Sequence, residues 1–346
     1  MGARAFITGL AGLSVSAGER AFLREAQPWG LIIFKRNVST ASQVVELAKT
    51  FRDILGWEAP ILVDQEGGRV QRLGPPDWPA YPPGALYGEL YDREPAAGIA
   101  AARLAGHLIA ADLRPLGIDV DCLPVVDMPV ANSDPVIGDR AYGKQPGKVA
   151  VIAKAIADGL QAGGVLPVLK HLPGHGRASA DSHHKLPVVD TERATLEATD
   201  FAAFRPLAGL PLGMTAHVVF SAIDPVAPAT TSVTMVRQVI RGFIGFQGLL
   251  MSDDISMNAL SGTIAERSRA ALAAGCDVVL HCNGDMREMT AVATETPKLS
   301  GDAAKRAGAA LAARRAPEEF DTGAARRIFT RMVVGERTST QREIGS

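Results

Sequence analysis

LPVLKHLPGHGRASADSHH, residues 166–184, opens on a short apolar run with no polar alternation and closes on small residues and histidines. A run of that kind reads as a strand covered on both faces, because a strand with one wet face would alternate. Lys170 and His171 end it. The same arrangement recurs along the chain at AFITGL (5–10), LIIF (31–34), ILVD (61–64), IDVDCL (118–123), LGMTAH (212–217), GLLMSDD (248–254) and DVVLH (277–281). Stretches of helical period lie between them, among them 41–55, 96–117, 147–164 and 264–275. Eight strand–helix units in roughly 280 residues predict an α/β fold, a single (β/α)8 TIM barrel. A doubly wound sheet is the competing arrangement, but no GxGxxG follows the first strand. Residues 300 to about 315 read as one more helix. The domain is expected to run over 1–335, with a polar tail at 336–346.

Composition narrows the partners. The 36 Lys and Arg almost cancel the 37 Asp and Glu, and no basic stripe interleaved with aromatics occurs, so nucleic acid is not an expected partner. Cys122, Cys276 and Cys282 are odd in number and widely spaced, which argues against a disulfide framework and for a reducing, cytoplasmic setting. The N-terminal apolar stretch is broken by Gly, Ser and Thr and fits the first strand better than a secretory signal. No run reads as a membrane span, so no membrane partner is expected.

In such barrels the chemistry sits where strands end at the C-terminal rim. Five of the predicted strands end in ionisable side chains: Asp64, Lys170 with His171, His217, Asp253 with Asp254, and His281. In DQEGGRVQR, the Gly67-Gly68 turn permits positive φ and close backbone approach, and gathers Asp64, Arg69 and Arg72. Such Asp-Arg pairs either fork onto sugar hydroxyls or form structural salt bridges. IGDRAYG offers a second couple, Asp139 and Arg140, with the same two readings. His171 and His175 have metal-ligand spacing, but Pro173 and Gly174 between them oppose a helix, so no metal is expected. On the following loop Asp181 and His183 stand two apart, and a carboxylate beside an imidazole favours the protonated ring that a general acid needs. In an extended segment Asp253 and Asp254 point to opposite faces, so only one readily enters the barrel mouth.

Taken together, DQEGGRVQR, IGDRAYG, KHLPGHG…DSH, MTAHVVF and MSDDISM resemble the NagZ-type β-N-acetylglucosaminidases (β-hexosaminidases) of glycoside hydrolase family 3, in the family's order, over roughly residues 5–290. The resemblance implies a retaining hydrolase that removes terminal β-linked N-acetylglucosamine, typically from 1,6-anhydro-muropeptides in peptidoglycan recycling, with no cofactor. It implies Asp253 as nucleophile, His183 as acid/base with Asp181 as its partner, and Asp64, Arg72, Arg140, Lys170 and His171 as the grip on the sugar. A small-molecule carbohydrate is the expected partner and a monomer the expected state. Arg177 departs from the family's loop pattern and is expected to alter loop charge or leaving-group preference, and His184 adds a second candidate imidazole. Three other readings remain: substrate-assisted hydrolysis with Asp253 and Asp254 as the orienting pair, a metal-dependent amidohydrolase using His171, His175 and Asp253, and a non-catalytic muropeptide-binding protein.

Overall fold

The computed structural model describes residues 2–182 and 184–334. Its eight parallel strands are β1 (Arg4–Thr8), β2 (Pro28–Ile33), β3 (Ile61–Val63), β4 (Val120–Asp121), β5 (Leu166–Leu172), β6 (Leu212–Thr215), β7 (Leu249–Asp254) and β8 (Val278–His281). They pair in chain order, and β8 returns to β1 through Phe6 beside Val279 and Thr8 beside His281, which closes the barrel. The expected (β/α)8 fold is the observed one. β2 starts three residues earlier than its apolar run suggested. β4 is shorter than its run, although Asp119 just before it still bonds both neighbouring strands through its backbone, donating to Ile61 O at 3.1 Å and accepting from Leu166 N at 2.9 Å, while its carboxylate accepts the Ile61 N–H at 2.8 Å.

Alternate strand residues explain why the runs carry no polar alternation. Ile32, Leu62, Val168, Met214, Met251 and Leu280 fill the barrel interior. Leu31, Ile33, Ile61, Val63, Leu169 and Val279 face outward into the helical layer. Both faces are dry, as parallel barrels require.

The helices that matter for the site are α1 (Ala17–Ala26), α2 (Ala41–Leu55), α3 (Gly84–Arg93), α4 (Pro95–Leu113), α5 (Pro146–Ala162), the short α6 (Arg193–Ala198) and α7 (Asp200–Phe204), α8 (Ile264–Ala274), α9 (Met286–Glu295), α10 (Gly301–Ala312) and α11 (Thr322–Val334). Between β6 and β7 the nine-residue helix Met235–Phe243 is wound with π spacing. Segment Pro95–Leu116 is long and apolar enough to cross a bilayer by length and composition, which the sequence reading passed over. In this fold its apolarity serves packing: Gly106 and Gly159 let α4 and α5 touch backbone to backbone. A Cβ at Gly106 would stand 2.3 Å from the Ile156 oxygen, and one at Gly159 2.1 Å from the Arg103 oxygen.

The N-terminal end of the barrel is plugged. Leu299, Ala307 and Ala310, at and along α10, join the interior cluster. Arg306 forks onto Asp277 at 2.7 to 3.0 Å, and Arg314 meets Asp119 at 2.8 Å. The sequence reading did not see α11. It lies against α4 with Phe329 beside Tyr81 and Arg326 paired to Asp112. The expected tail 336–346 falls outside the described residues.

Candidate active site

The other end of the barrel opens into a cavity of about 330 Å3, at the small end of the roughly 300–1,000 Å3 usual for small-molecule sites. Its floor is a chain of alternating charges. The Lys170 ammonium donates to Asp64 Oδ1 at 2.9 Å and sits 2.6 Å from Glu66 Oε1. Arg72 donates to Asp64 Oδ2 at 2.8 Å, and Arg140 forks onto both Glu66 oxygens at 2.8 Å. Burial pushes the Asp64 and Glu66 carboxyls up, but the adjacent cations and their hydrogen bonds outweigh it, leaving Asp64 well below the carboxylate range and Glu66 at about 2. Burial lowers Lys170 while Asp64 and Glu66 raise it further, so the ammonium stays charged. Every member is therefore ionised at neutral pH, with three cations against two anions, and polar arms are already oriented toward whatever enters.

Local sequence builds this floor. Gly67 and Gly68 take φ of 96° and 56°, as the turn required, and a Cβ on Gly67 would lie 2.3 Å from the Pro82 oxygen. The Gln65 side chain ties the hairpin shut: its oxygen accepts from Arg72 N and Leu73 N, both at 3.1 Å, and its amide donates to Leu73 O at 2.7 Å. Arg72 also lies over the Phe34 ring, 4.9 Å from its centroid, and Phe34 lines the cavity.

The pairing of the two Asp-Arg couples is partly other than expected. Asp64 does pair with Arg72, but Asp139 pairs with Arg69 at 3.3 Å on the exposed rim, and Arg140 turns inward to Glu66. Asp139 and Arg140 are neighbours on a tight 3-10 turn, Gly138–Arg140, so their side chains diverge. Glu66 itself was missed by the sequence reading. Its only signal was its place between Asp64 and the glycine turn.

At the end of β5, His171 donates from Nδ1 to Asp127 Oδ2 at 2.6 Å, and the backbone N–H of His175 donates to Asp127 Oδ1 at 2.6 Å. The chain between them is strand and turn, not helix, and the two rings stand 6.0 Å apart. Burial raises the fully buried Asp127 carboxyl, but His171 and His175 pull it down to about 2. Asp127 was also missed, since nothing local marks it as different from any strand-end aspartate. His175 Nε2 bonds Ser182 Oγ at 3.0 Å, and burial pushes its imidazole down to about 4. Asp181 and Ser182 line the cavity. His183, the expected acid/base, lies outside the described residues. Arg177 does not face the cavity. It donates to Asp200 Oδ2 at 2.6 Å and to Thr199 Oγ1 at 3.2 Å, which anchors the loop to α7. His184 is exposed.

Of the paired aspartates on β7, Asp253 lines the cavity with its Oδ1 accepting the Asp254 N–H at 2.8 Å. Asp254 reaches the cavity edge, but its carboxylate is taken up by Ser256 N and Oγ and by Cys282 N at 2.7 to 3.2 Å. One carboxylate is presented and the other braces, as opposite strand faces dictate. Two of the expected rim residues are elsewhere. His217 is fully buried, donates from Nε2 to the Asp254 carbonyl at 3.0 Å and meets Thr230 at 2.7 Å; His281 is fully buried against Glu288 at 3.0 Å. Neither lines the cavity.

A cavity at the C-terminal rim with a charged floor and one presented carboxylate is the frame of a glycosidase site. The Glycosyl hydrolase family 3 N terminal domain matches residues 8–306. The chain belongs to glycosyl hydrolase family 3. As a family 3 member it is a glycoside hydrolase, and the resemblance to the NagZ-type β-hexosaminidases holds over most of its length. A β-hexosaminidase of Alkalilimnicola ehrlichii is 42% identical over 281 residues, 80% of this chain and 79% of that protein. One from Nitrosospira multiformis is 38% identical over the same length, 80% of each chain. Among solved structures, NagZ from Neisseria gonorrhoeae in complex with N-trifluoroacetyl-D-glucosamine superposes with a TM-score of 0.87 at 30% identity, covering 96% of this chain and 99% of that one.

Proposed function

We propose that this family 3 protein is a retaining exo-β-N-acetylglucosaminidase. The observation that carries the reading is the placement of Asp253: at the tip of β7, facing the same cavity as the Asp64–Lys170–Glu66–Arg140 floor, while its neighbour Asp254 is consumed by hydrogen bonds. An ionised floor of that kind offers the sugar hydroxyls charge-assisted donors and acceptors at fixed positions. Asp64, Arg72, Lys170, Arg140 and His171 hold the terminal sugar, and the cavity's size suits a single sugar ring with the bond to be cut at its mouth.

Chemistry then proceeds in two displacements. The Asp253 carboxylate attacks the anomeric carbon while a proton passes to the departing glycosidic oxygen, giving a glycosyl-enzyme ester and a free alcohol. Water, losing its proton to the same acid/base group, cleaves the ester and restores Asp253. His183 is assigned that proton by its place in the DSH motif, and Asp181, which faces the cavity, is assigned the task of keeping the imidazolium charged. We extend the reading to 1,6-anhydro-muropeptides as substrate, to the cytoplasm as location and to a monomeric state; the motif resemblance supports the first, and cysteines that are all free support the second.

The test is release of p-nitrophenol from p-nitrophenyl β-N-acetylglucosaminide in the presence of EDTA. Wild type turns over, and Asp253→Asn loses at least three orders of magnitude. Its loss by wild type with EDTA, restored by zinc, would overturn the assignment in favour of metal chemistry. Normal turnover by the Asn variant would remove Asp253 as nucleophile.

A further inference from the structure

The loop that follows β5 leaves the barrel at His175 and comes back to it at Ser182, and both ends meet at one imidazole. His175 is held at its backbone by Asp127, and its Nε2 meets the Ser182 hydroxyl at 3.0 Å. His175 is 3% exposed and Ser182 3% exposed, so this contact is shielded from water. The ring's Nδ1 is buried with no partner among the described residues. A buried N–H without an acceptor costs more than a bare lone pair, so the proton belongs on Nε2, which donates to Ser182 Oγ. With burial pushing the ring down to about 4, despite the Asp127 and Asp253 charges that oppose it and with His171 acting in the same direction, the imidazole is neutral at working pH.

The rest of the loop is fastened on the same side. Gly176 lies against the Met128 backbone so closely that a Cβ would stand 2.1 Å from the Met128 oxygen. Ala178 O accepts from Asp134 N at 2.8 Å, and Ser182 O accepts from Ala259 N at 3.2 Å. Asp181 sits between these fastenings and faces the cavity. The other oxygen of Asp127 holds His171, which lines the sugar cavity. One carboxylate thus supports both a sugar-contacting imidazole and the root of the loop.

We infer that His175 and Ser182 are positioning residues for the leaving-group side of the reaction, and that Asp127 couples them to the sugar side. The inference rests on the glycosidase reading proposed above. Its content is that the His175–Ser182 hydrogen bond fixes Asp181 where proton delivery to the departing oxygen needs it, while the sugar is gripped by other residues.

Leaving groups separate this from a merely structural role. An aryl leaving group such as p-nitrophenol departs with little protonation, whereas an alkyl or sugar alcohol needs the proton in full. The experiment compares p-nitrophenyl β-N-acetylglucosaminide with methyl β-N-acetylglucosaminide or chitobiose in wild type, Ser182→Ala, His175→Leu, His175→Gln, Asp127→Asn and, as a control on the exposed part of the loop, Lys185→Ala. Thermal unfolding is recorded for each. Ser182→Ala is expected to lose about tenfold in kcat/KM on the alkyl substrates, the value of one buried hydrogen bond, with kcat/KM on the aryl substrate little changed, because kcat/KM reports the first displacement alone whereas the water step uses the same acid/base for every leaving group. His175→Leu does the same, and His175→Gln, whose amide reaches the Nε2 position, recovers most of the loss. Asp127→Asn lowers kcat and raises KM together. Equal losses in kcat/KM on both leaving groups, or wild-type rates in folded Ser182→Ala, would overturn the inference. A wild type inactive on every substrate would instead refute the glycosidase reading and take the inference with it.

Discussion

Glu66→Gln removes one negative charge from the cavity floor and leaves its shape almost unchanged. Glu66 is bound by two guanidinium nitrogens and one ammonium, with its side chain 4% exposed. A glutamate in the unfolded chain titrates near 4.5, and here it is held at about 2. Holding it there is worth about 3 kcal/mol at neutral pH. The same figure follows from the other direction, since removing one partner of a buried ion pair costs roughly 3–5 kcal/mol. Because the folded value is depressed, the stabilisation is complete above the unfolded value and is lost as pH falls through the folded one. The gap between wild type and variant is therefore full at pH 7, starts to narrow below about 4.5 and is less than half by about pH 3. Thermal unfolding of the two proteins across that range reads it directly, with a drop in Tm of roughly 4 °C at pH 7. KM for the nitrophenyl substrate rises as well, because Arg140 and Lys170 lose the group that aims them. A variant with unchanged Tm at pH 7, or a gap that stays constant down to pH 3, would refute the charged floor.

Lys170→Met removes the cation shared by Asp64 and Glu66 and leaves two carboxylates facing each other, at a cost of about 3–5 kcal/mol. Denaturant unfolding should show a larger loss at pH 8 than at pH 5, where one carboxyl can take a proton. Asp121→Asn is expected to act in the opposite sense. Asp121 is fully buried, one oxygen accepts the Gln65 N–H at 3.0 Å, the other has no hydrogen-bond partner among the described residues, and burial raises its carboxyl well above the ordinary value. An acid whose folded value is raised weakens folding above its unfolded value of 3.8, so the neutral amide should raise Tm, and by more at pH 8 than at pH 5. A lower Tm at both pH values would show that Asp121 is ionised in the fold.

The barrel was legible because each strand is dry on both faces and the apolar runs recur eight times in alternation with stretches of helical period. The Asp64–Arg72 pair was legible because a glycine turn brings residues eight apart together. Its partners across the barrel were not: Lys170 reaches Asp64 over 106 residues and Arg140 reaches Glu66 over 74, and only strand order joins them. α11 was lost for a related reason, since a lone amphipathic helix at the end of a charged stretch differs little in pattern from solvated chain.

His281 failed differently, because the sequence did contain the rule that places it. Counting by two from an interior residue of each strand gives the side chains aimed at the cavity. Ile32 leads to Phe34, Leu62 to Asp64, Val168 to Lys170, Met251 to Asp253 and Leu280 to Cys282, and all five end residues line it. From Leu280 the count skips His281, which lies in the outer layer against Glu288; from Met214 it selects Ala216, which packs in the outer cluster and does not line the cavity, so the rule stops short of the rim on β6 and does not place His217. His171 breaks the rule: it follows inward-facing Lys170 and still lines the cavity. The ladder between β5 and β6 slips there, between Leu169 and Leu172, and Asp127 holds the displaced imidazole. Asp254 breaks the rule too, beside inward-facing Asp253, where the ladder between β7 and β8 slips between Met251 and Asp254, so parity separates the side chains that a regular barrel would present from the two that follow a break in a strand. The break on β5 falls where the charged cavity floor meets the loop bearing Asp181, a junction that Asp127 ties by holding the His171 ring and the His175 backbone together.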